Sequence, residues 1–233
     1  MMKRIKVIGL GGIGSYLAEP LSRYLSHSQE EVEITLVDGD SYEDKNRNRQ
    51  QFSGLENKAR HTSLELATKF PNVSFKYKSE YLSDDNVYSV IRENDTVFAC
   101  VDNHATRKLI SDRCEELDNV TLISGGNEYT DGDVILYRRV QGKDLGKPLT
   151  QHDPFIAEPQ DQNPAYAEKQ DGCVEQTEDN PQLLFTNNTI AVIMCNTFYG
   201  VEKDCANYER VYVDILTQKS RPTPENNFFE FEE

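Results

Sequence analysis

Short apolar runs alternate with helix-length amphipathic stretches through the first two-thirds of the chain. The runs at 4–8, 32–37, 73–77, 96–99 and 121–123 have the length and composition of strands. Between them, apolar spacing predicts helices over 13–25, 55–70, 84–92 and 105–117. This alternation predicts an α/β fold, a Rossmann-like doubly wound and mainly parallel sheet with helices on both faces. A further strand is expected over 134–139. From 141 to 181 large apolar residues thin out, and Lys, Gly, Pro, Asn, Gln and acids predict a long crossover loop without packed structure. Order resumes in an amphipathic helix over 183–199, led in by Pro181 and closed by Gly200, followed by a strand over 210–216. Residues 1–220 read as a single domain and 221–233 as an acidic, aromatic tail able to dock as an added strand.

The first strand leads straight into Gly9-Leu10-Gly11-Gly12-Ile13-Gly14 and then a helix. That context turns a weak glycine pattern into a nucleotide-binding signal, because bare backbone lets N–H groups touch phosphate oxygens at a helix N-terminus. Asp38, at the end of the second strand, stands where an acid accepts hydrogen bonds from ribose hydroxyls. Loop, helix and acid alone suit NAD, FAD, S-adenosylmethionine and ATP equally.

Charge narrows the partners. Forty Asp and Glu against 25 Lys and Arg give a formal net charge of −15, which opposes nonspecific nucleic-acid binding at long range. No apolar run is long enough for a signal peptide or a membrane span, and the five cysteines show no CxxC pairing. A cytoplasmic protein with neither a disulfide framework nor a structural zinc is expected.

The block from Asp38 to Gln50 places acids, amides and arginines directly after a buried strand. Arg49 offers a planar fork of donors to phosphate oxygens, Asn46 and Gln50 offer neutral donors, and Lys58 adds a mobile point charge. A block this polar also occurs as a plain solvated face. Asp102 lies just past the fourth strand, on the rim where open α/β sheets bind ligands, and a hard carboxylate there suits magnesium or a helix N-cap.

Taken in order, the glycine loop, Asp38-x-Asp40, Asn46-x-Asn48-Arg49-Gln50, Lys58, and Asp102-Asn103 followed by Arg107 resemble the ThiF/MoeB/E1-like adenylyltransferase superfamily. The resemblance implies ATP and Mg2+ as cofactors. Its implied nucleotide site comprises Gly9, Gly11, Gly12, Ile13, Gly14, Asp38, Asp40, Asn46, Arg49, Gln50, Lys58, Asp102, Asn103 and Arg107. Within it Asp38 is the ribose acid, Asn46, Arg49 and Lys58 are phosphate ligands, and Asp102 is the magnesium-linked carboxylate. The implied activity is adenylation of the C-terminal carboxylate of a ubiquitin-like or sulfur-carrier protein, or of a peptide, by a homodimer.

Cys173 matches the crossover-loop position at which some relatives carry an acceptor cysteine. Arg49, Lys58, Asp102 and Cys173 are therefore the expected catalytic set. Relatives usually carry helices ahead of the first strand, with an arginine that reaches a neighbour's ATP site. Here strand residues begin at once, and Arg47 replaces the usual apolar residue of the motif. That difference keeps open a nucleotide-binding scaffold that recruits partners, and the loop and Asp38 alone keep open an NAD-dependent oxidoreductase.

Overall fold

The computed structural model describes residues 2–44, 54–166 and 183–224. Among these residues nine strands form one sheet. Five are parallel, in the order β3 (Ser74–Lys78), β2 (Val32–Val37), β1 (Lys3–Ile8), β4 (Asp95–Ala99) and β5 (Val120–Asn127). The sheet continues antiparallel through β6 (Asp131–Val140), β8 (Tyr208–Asp214) and β9 (Lys219–Pro224), with β7 (Lys143–Leu145) paired to β6. β1 is central: Ile5 pairs with Ile34 on one side and Thr96 on the other. All six residues of β2 are buried, as expected for a parallel strand covered on both faces.

One apolar layer is built by α1 (Gly12–Leu25), α2 (Lys58–Lys69) and α7 (Leu184–Glu202), through Ile13, Leu17, Leu21, Leu66, Ile190 and Met194. The other face is covered by α3 (Val87–Val90), α4 (His104–Glu115), α5 (Leu149–His152) and α6 (Pro154–Ala157), through Val87, Val90, Ile110, Leu149 and Ile156. From β1 the chain winds outward through β2 to β3, then crosses back to β4 on the far side of β1. The carboxyl ends of β1 and β4 therefore flank the switch point, the crevice where open α/β sheets take ligands.

The parallel strands and main helices lie where the hydrophobic pattern puts them, and four segments differ. The helix expected over 84–92 shrinks to one turn, because Asn86 holds a turn ahead of it by accepting from Ser83 N–H and donating to Tyr81 O, and Ile91 is already extended. The interval 141–181 was expected to lack packed structure, yet its described part, 141–166, holds β7, α5, α6 and a 3-10 turn at Pro164–Tyr166. Single anchors suffice there: Leu149 and Ile156 are buried, and Asp153 caps α6 by accepting from Phe155 N–H. Gly200 lies inside α7 and does not close it, since the bare backbone packs closely on Ala206. The sheet also continues past residue 220, with Pro222 in an edge strand that tolerates a missing N–H.

Candidate functional site

The loop after β1 is shaped by what its glycines permit. Gly9 has φ +89°, and a Cβ there would stand 2.7 Å from the Cys100 carbonyl oxygen, which follows β4. At Gly14 a Cβ would lie 2.0 Å from Gly9 O, so the helix turns directly against the loop. Gly11 differs, because a Cβ there would meet nothing within 4 Å. It is the N-cap of α1 and supplies no side-chain cap, and the first turn carries no acid. The helix's leading N–H groups thus face the crevice uncapped, with the positive end of the helix dipole behind them.

Asp38 ties this loop to the end of β2. Its buried carboxylate accepts from Leu10 N–H at 2.6 Å and from Asp40 N–H at 2.8 Å, which leaves further lone pairs on each oxygen. Burial pushes its pKa upward against the opposing charge of Lys58 and these two N–H bonds. Asp40 is paired in turn. One oxygen accepts from Lys58 Nζ at 2.9 Å and the other from the Tyr81 hydroxyl. Lys58, expected as a phosphate ligand, is buried and points to Asp40. Asn57, absent from the expected set, caps α2 by accepting from Arg60 N–H and donates to the carbonyls of Asp38 and Asp40. An Asn just before a helical run was the available signal.

The start of α4 is finished differently. The cap there is Asn103, whose Oδ1 accepts from Thr106 N–H at 2.8 Å, and not Asp102. Asp161, from the 141–166 segment, accepts from the N–H groups of His104 at 2.7 Å and Ala105 at 2.9 Å, and contacts His104 Nδ1 at 3.0 Å. Partial burial opposes its charge, yet these donors outweigh it and hold its pKa below the usual carboxylate range. Nothing in the sequence marked Asp161.

Asp102 is exposed on the rim beside this cap, with no hydrogen-bond or ion-pair partner among the described residues. Arg107, expected at the nucleotide, turns under the rim. Its guanidinium donates to Ser124 Oγ at 2.6 Å and to the carbonyls of Val101 and Gly125 at 2.5 and 2.8 Å, bracing the turn that carries Asp102. Among the described residues no group of three or more His, Cys, Asp or Glu is arranged to hold a metal. A single hard carboxylate, one residue past the Val101 backbone against which Gly9 packs, nevertheless fits magnesium, which keeps most of its waters and takes few protein ligands.

Asn46, Arg49, Gln50 and Cys173 lie outside the described residues, as does the tail beyond 224. Of the other cysteines, Cys100 and Cys195 have their thiols pushed up to about 12 and about 11 by burial, so neither is a ready nucleophile. Among the described residues no helix is long and apolar enough to cross a membrane.

Comparison with known proteins places this geometry. The family model described as "ThiF family" matches residues 2–200. The chain is 31% identical over 142 residues to the adenylyltransferase and sulfurtransferase MOCS3 of Drosophila sechellia, covering 59% of this chain and 30% of that protein. It is 33% identical over 142 residues to the adenylyltransferase and sulfurtransferase UBA4 of Debaryomyces hansenii, covering 58% and 30%. The matched part thus spans about three-tenths of these relatives' length. Among solved structures, the fold is similar to PaaA, with TM-score 0.69, 14% identity and coverage of 95% and 72% of the two chains. It is also similar to Escherichia coli MccB crystallised with ATP, with TM-score 0.68, 17% identity and coverage of 96% and 64%.

Proposed function

The chain belongs to the ThiF family, and from that membership we propose that it is an ATP-dependent adenylyltransferase acting on the C-terminal carboxylate of a ubiquitin-like or sulfur-carrier protein, or of a peptide. The observation that carries the reading is the pairing of two features on one rim: the uncapped N-terminus of α1 and the unpartnered carboxylate of Asp102. In this reading a site for an anion and a site for its counter-cation follow the adjacent strands β1 and β4 that flank the switch point. Relatives named as adenylyltransferases, and a fold shared with a protein crystallised with ATP, support ATP over the other nucleotides.

In this reading the N–H groups of Gly12, Ile13 and Gly14 bind phosphate oxygens, and Asp38 receives the ribose on its remaining lone pairs. Asn46, Arg49 and Gln50 add donors to the phosphates, and Lys58 contributes its charge from beside Asp40. Asp102 holds Mg2+, which when bound neutralises charge on the polyphosphate. Asn103 and Arg107 act on the nucleotide by fixing the turn of Asp102. A carboxylate oxygen of the acceptor attacks the α-phosphorus as the bond to the β-phosphate oxygen breaks. Pyrophosphate leaves with that electron pair, and an acyl-adenylate remains. The nucleophile is already ionised at neutral pH, so the chain's contribution is positioning and charge stabilisation without a general base. Cys173 is the position assigned to subsequent transfer of the acyl group or sulfur.

The homodimer is proposed to form through the apolar stripe of Val192, Tyr199 and Tyr24 that α7 and α1 leave exposed, which light scattering tests. The reading as a whole is tested by carrier-dependent exchange of labelled pyrophosphate into ATP. Exchange is expected in the wild type, to fall at least about a hundredfold in Asp102→Ala and Arg49→Ala as charge stabilisation is lost, and to persist in Cys173→Ala. Exchange unchanged in both Asp102→Ala and Arg49→Ala defeats the assignment. ATP binding without exchange, across carriers ending in glycine, points to the partner-recruiting scaffold.

A further inference from the structure

Resting on the reading of this rim as an ATP site, we infer that Tyr81 is the platform on which the adenine ring stacks. A nucleotide with its phosphates over α1 and its ribose on Asp38 extends its base away from β1, beyond β2 and toward β3. Tyr81 stands there, three residues past the end of β3. Its ring lies against the backbone between the two acids: a Cβ at Gly39 would be 2.6 Å from the ring Cγ and 2.7 and 2.8 Å from the two Cδ atoms. Only glycine at 39 leaves room for a ring so close.

The ring is fixed at both ends. Its hydroxyl donates to Asp40, whose other oxygen holds Lys58, and its backbone carbonyl accepts from Asn86 Nδ2 at 2.9 Å. Burial, the bond to Asp40 and the neighbouring carboxylates Asp38 and Asp102 keep the phenol protonated, and so a donor. The side chain is only half-buried, and no other ring or cation packs on it among the described residues. One face is set on Gly39, the hydroxyl is pinned, and the rim carboxylates Asp38 and Asp102 lie near enough for their charge to reach the ring. A flat aromatic ring ordered before the ligand arrives is suited to stack a base at little entropic cost. Asp40 thereby links the two ends of the nucleotide, holding the cation assigned to the phosphates with one oxygen and the ring assigned to the base with the other.

The test measures binding of ATP and of inorganic tripolyphosphate, which lacks a base, to the full chain and to Tyr81→Ala, Tyr81→Phe and Tyr81→Trp. Base–aromatic stacking predicts that Tyr81→Ala weakens ATP by roughly ten- to a hundredfold and leaves tripolyphosphate unchanged, while Tyr81→Phe retains ATP binding. The chain contains no tryptophan, so Tyr81→Trp is a sole reporter whose emission should be quenched by ATP and not by tripolyphosphate. Unchanged or tighter ATP binding by Tyr81→Ala overturns the platform, as does equal loss of both ligands. Should Tyr81→Ala fail to fold, the tryptophan variant decides, and emission indifferent to bound ATP overturns the inference. A wild-type chain that binds no ATP overturns the nucleotide reading itself, a result distinct from either of these.

Discussion

Two helices begin above adjacent strands of the same rim and are finished in opposite ways. At α1 the N-cap is a glycine that contributes no side chain, the first turn carries no acid, and open space stands over Gly11. At α4 the leading N–H groups are taken, Thr106 by Asn103 and His104 and Ala105 by Asp161. Both ends carry the same partial positive charge, so what separates an anion site from a structural joint here is whether the chain has already supplied the anion. The open end is left free for the phosphates of the proposed ligand. The closed end fastens the 141–166 segment and fixes the turn that presents Asp102.

The largest effect expected from breaking this contrast is at Gly14. An alanine there puts a methyl 2.0 Å from Gly9 O, backbone against backbone, so loop and helix cannot both keep their places. Gly14→Ala should cost about 3 kcal/mol or more of stability, a fall of roughly 6–12 °C in Tm for a chain of this size, together with ATP binding. Calorimetric melting and titration check both. An unchanged Tm would show that the loop is looser than described.

Gly11→Ala separates binding from folding. Its methyl meets nothing in the protein but enters the space a phosphate needs over the first turn. Tm should move by no more than ~3 °C, the equivalent of about 1 kcal/mol, while ATP affinity falls about tenfold, equivalent to ~1.4 kcal/mol. Equal ATP affinity in the wild type and Gly11→Ala would place the phosphates elsewhere.

At the closed end the expected effects are on stability first. Asn103→Ala removes a cap worth about 1 kcal/mol and loosens the turn of Asp102. Urea midpoints should fall accordingly, and ATP affinity measured with magnesium should fall more than affinity measured without it. Equal losses in the two conditions would detach Asp102 from the metal.

The open end was legible in the sequence and the closed end was not, for a physical reason. Gly9, Gly11, Gly14 and Asp38 act through backbone geometry at the junction of a buried strand and a helix, and such a junction leaves a local signature. The parallel strands were legible for a related reason: strands covered on both faces read as short, mostly apolar runs, as Val32–Val37 does with Val32, Ile34, Leu36 and Val37 around Glu33 and Thr35. Asp161 reaches α4 across 57 residues of sequence, and Tyr81 meets Gly39 from the far side of β3. No local pattern marks either contact. The elements missed are those anchored by one side chain, such as α5 on Leu149 and α6 on Ile156, or lying at an edge where prolines are allowed, as in β9. Arg107 shows a mixed case: motif spacing singles it out, but the Ser124 hydroxyl and the Val101 and Gly125 carbonyls that it braces are contacts no spacing reveals.

The smallest expected effect is also the most specific to the closed end. The Asp161 carboxyl is held below its usual range in the folded chain, so the unfolded chain takes up a proton first as the pH falls. Its stabilising contribution is complete above the unfolded value of ~3.9 and drains away as pH drops through the lower folded value. Asp161→Asn should therefore lower stability at pH 7 by about 0.5 kcal/mol, the scale of a partly exposed carboxylate at a helix N-terminus, and the difference should close as both proteins are taken toward pH 3. Paired denaturant titrations at the two pH values read the change directly. A deficit that persists undiminished in acid would mean that Asp161 acts through shape and not charge, and the two helix ends would then differ by packing alone.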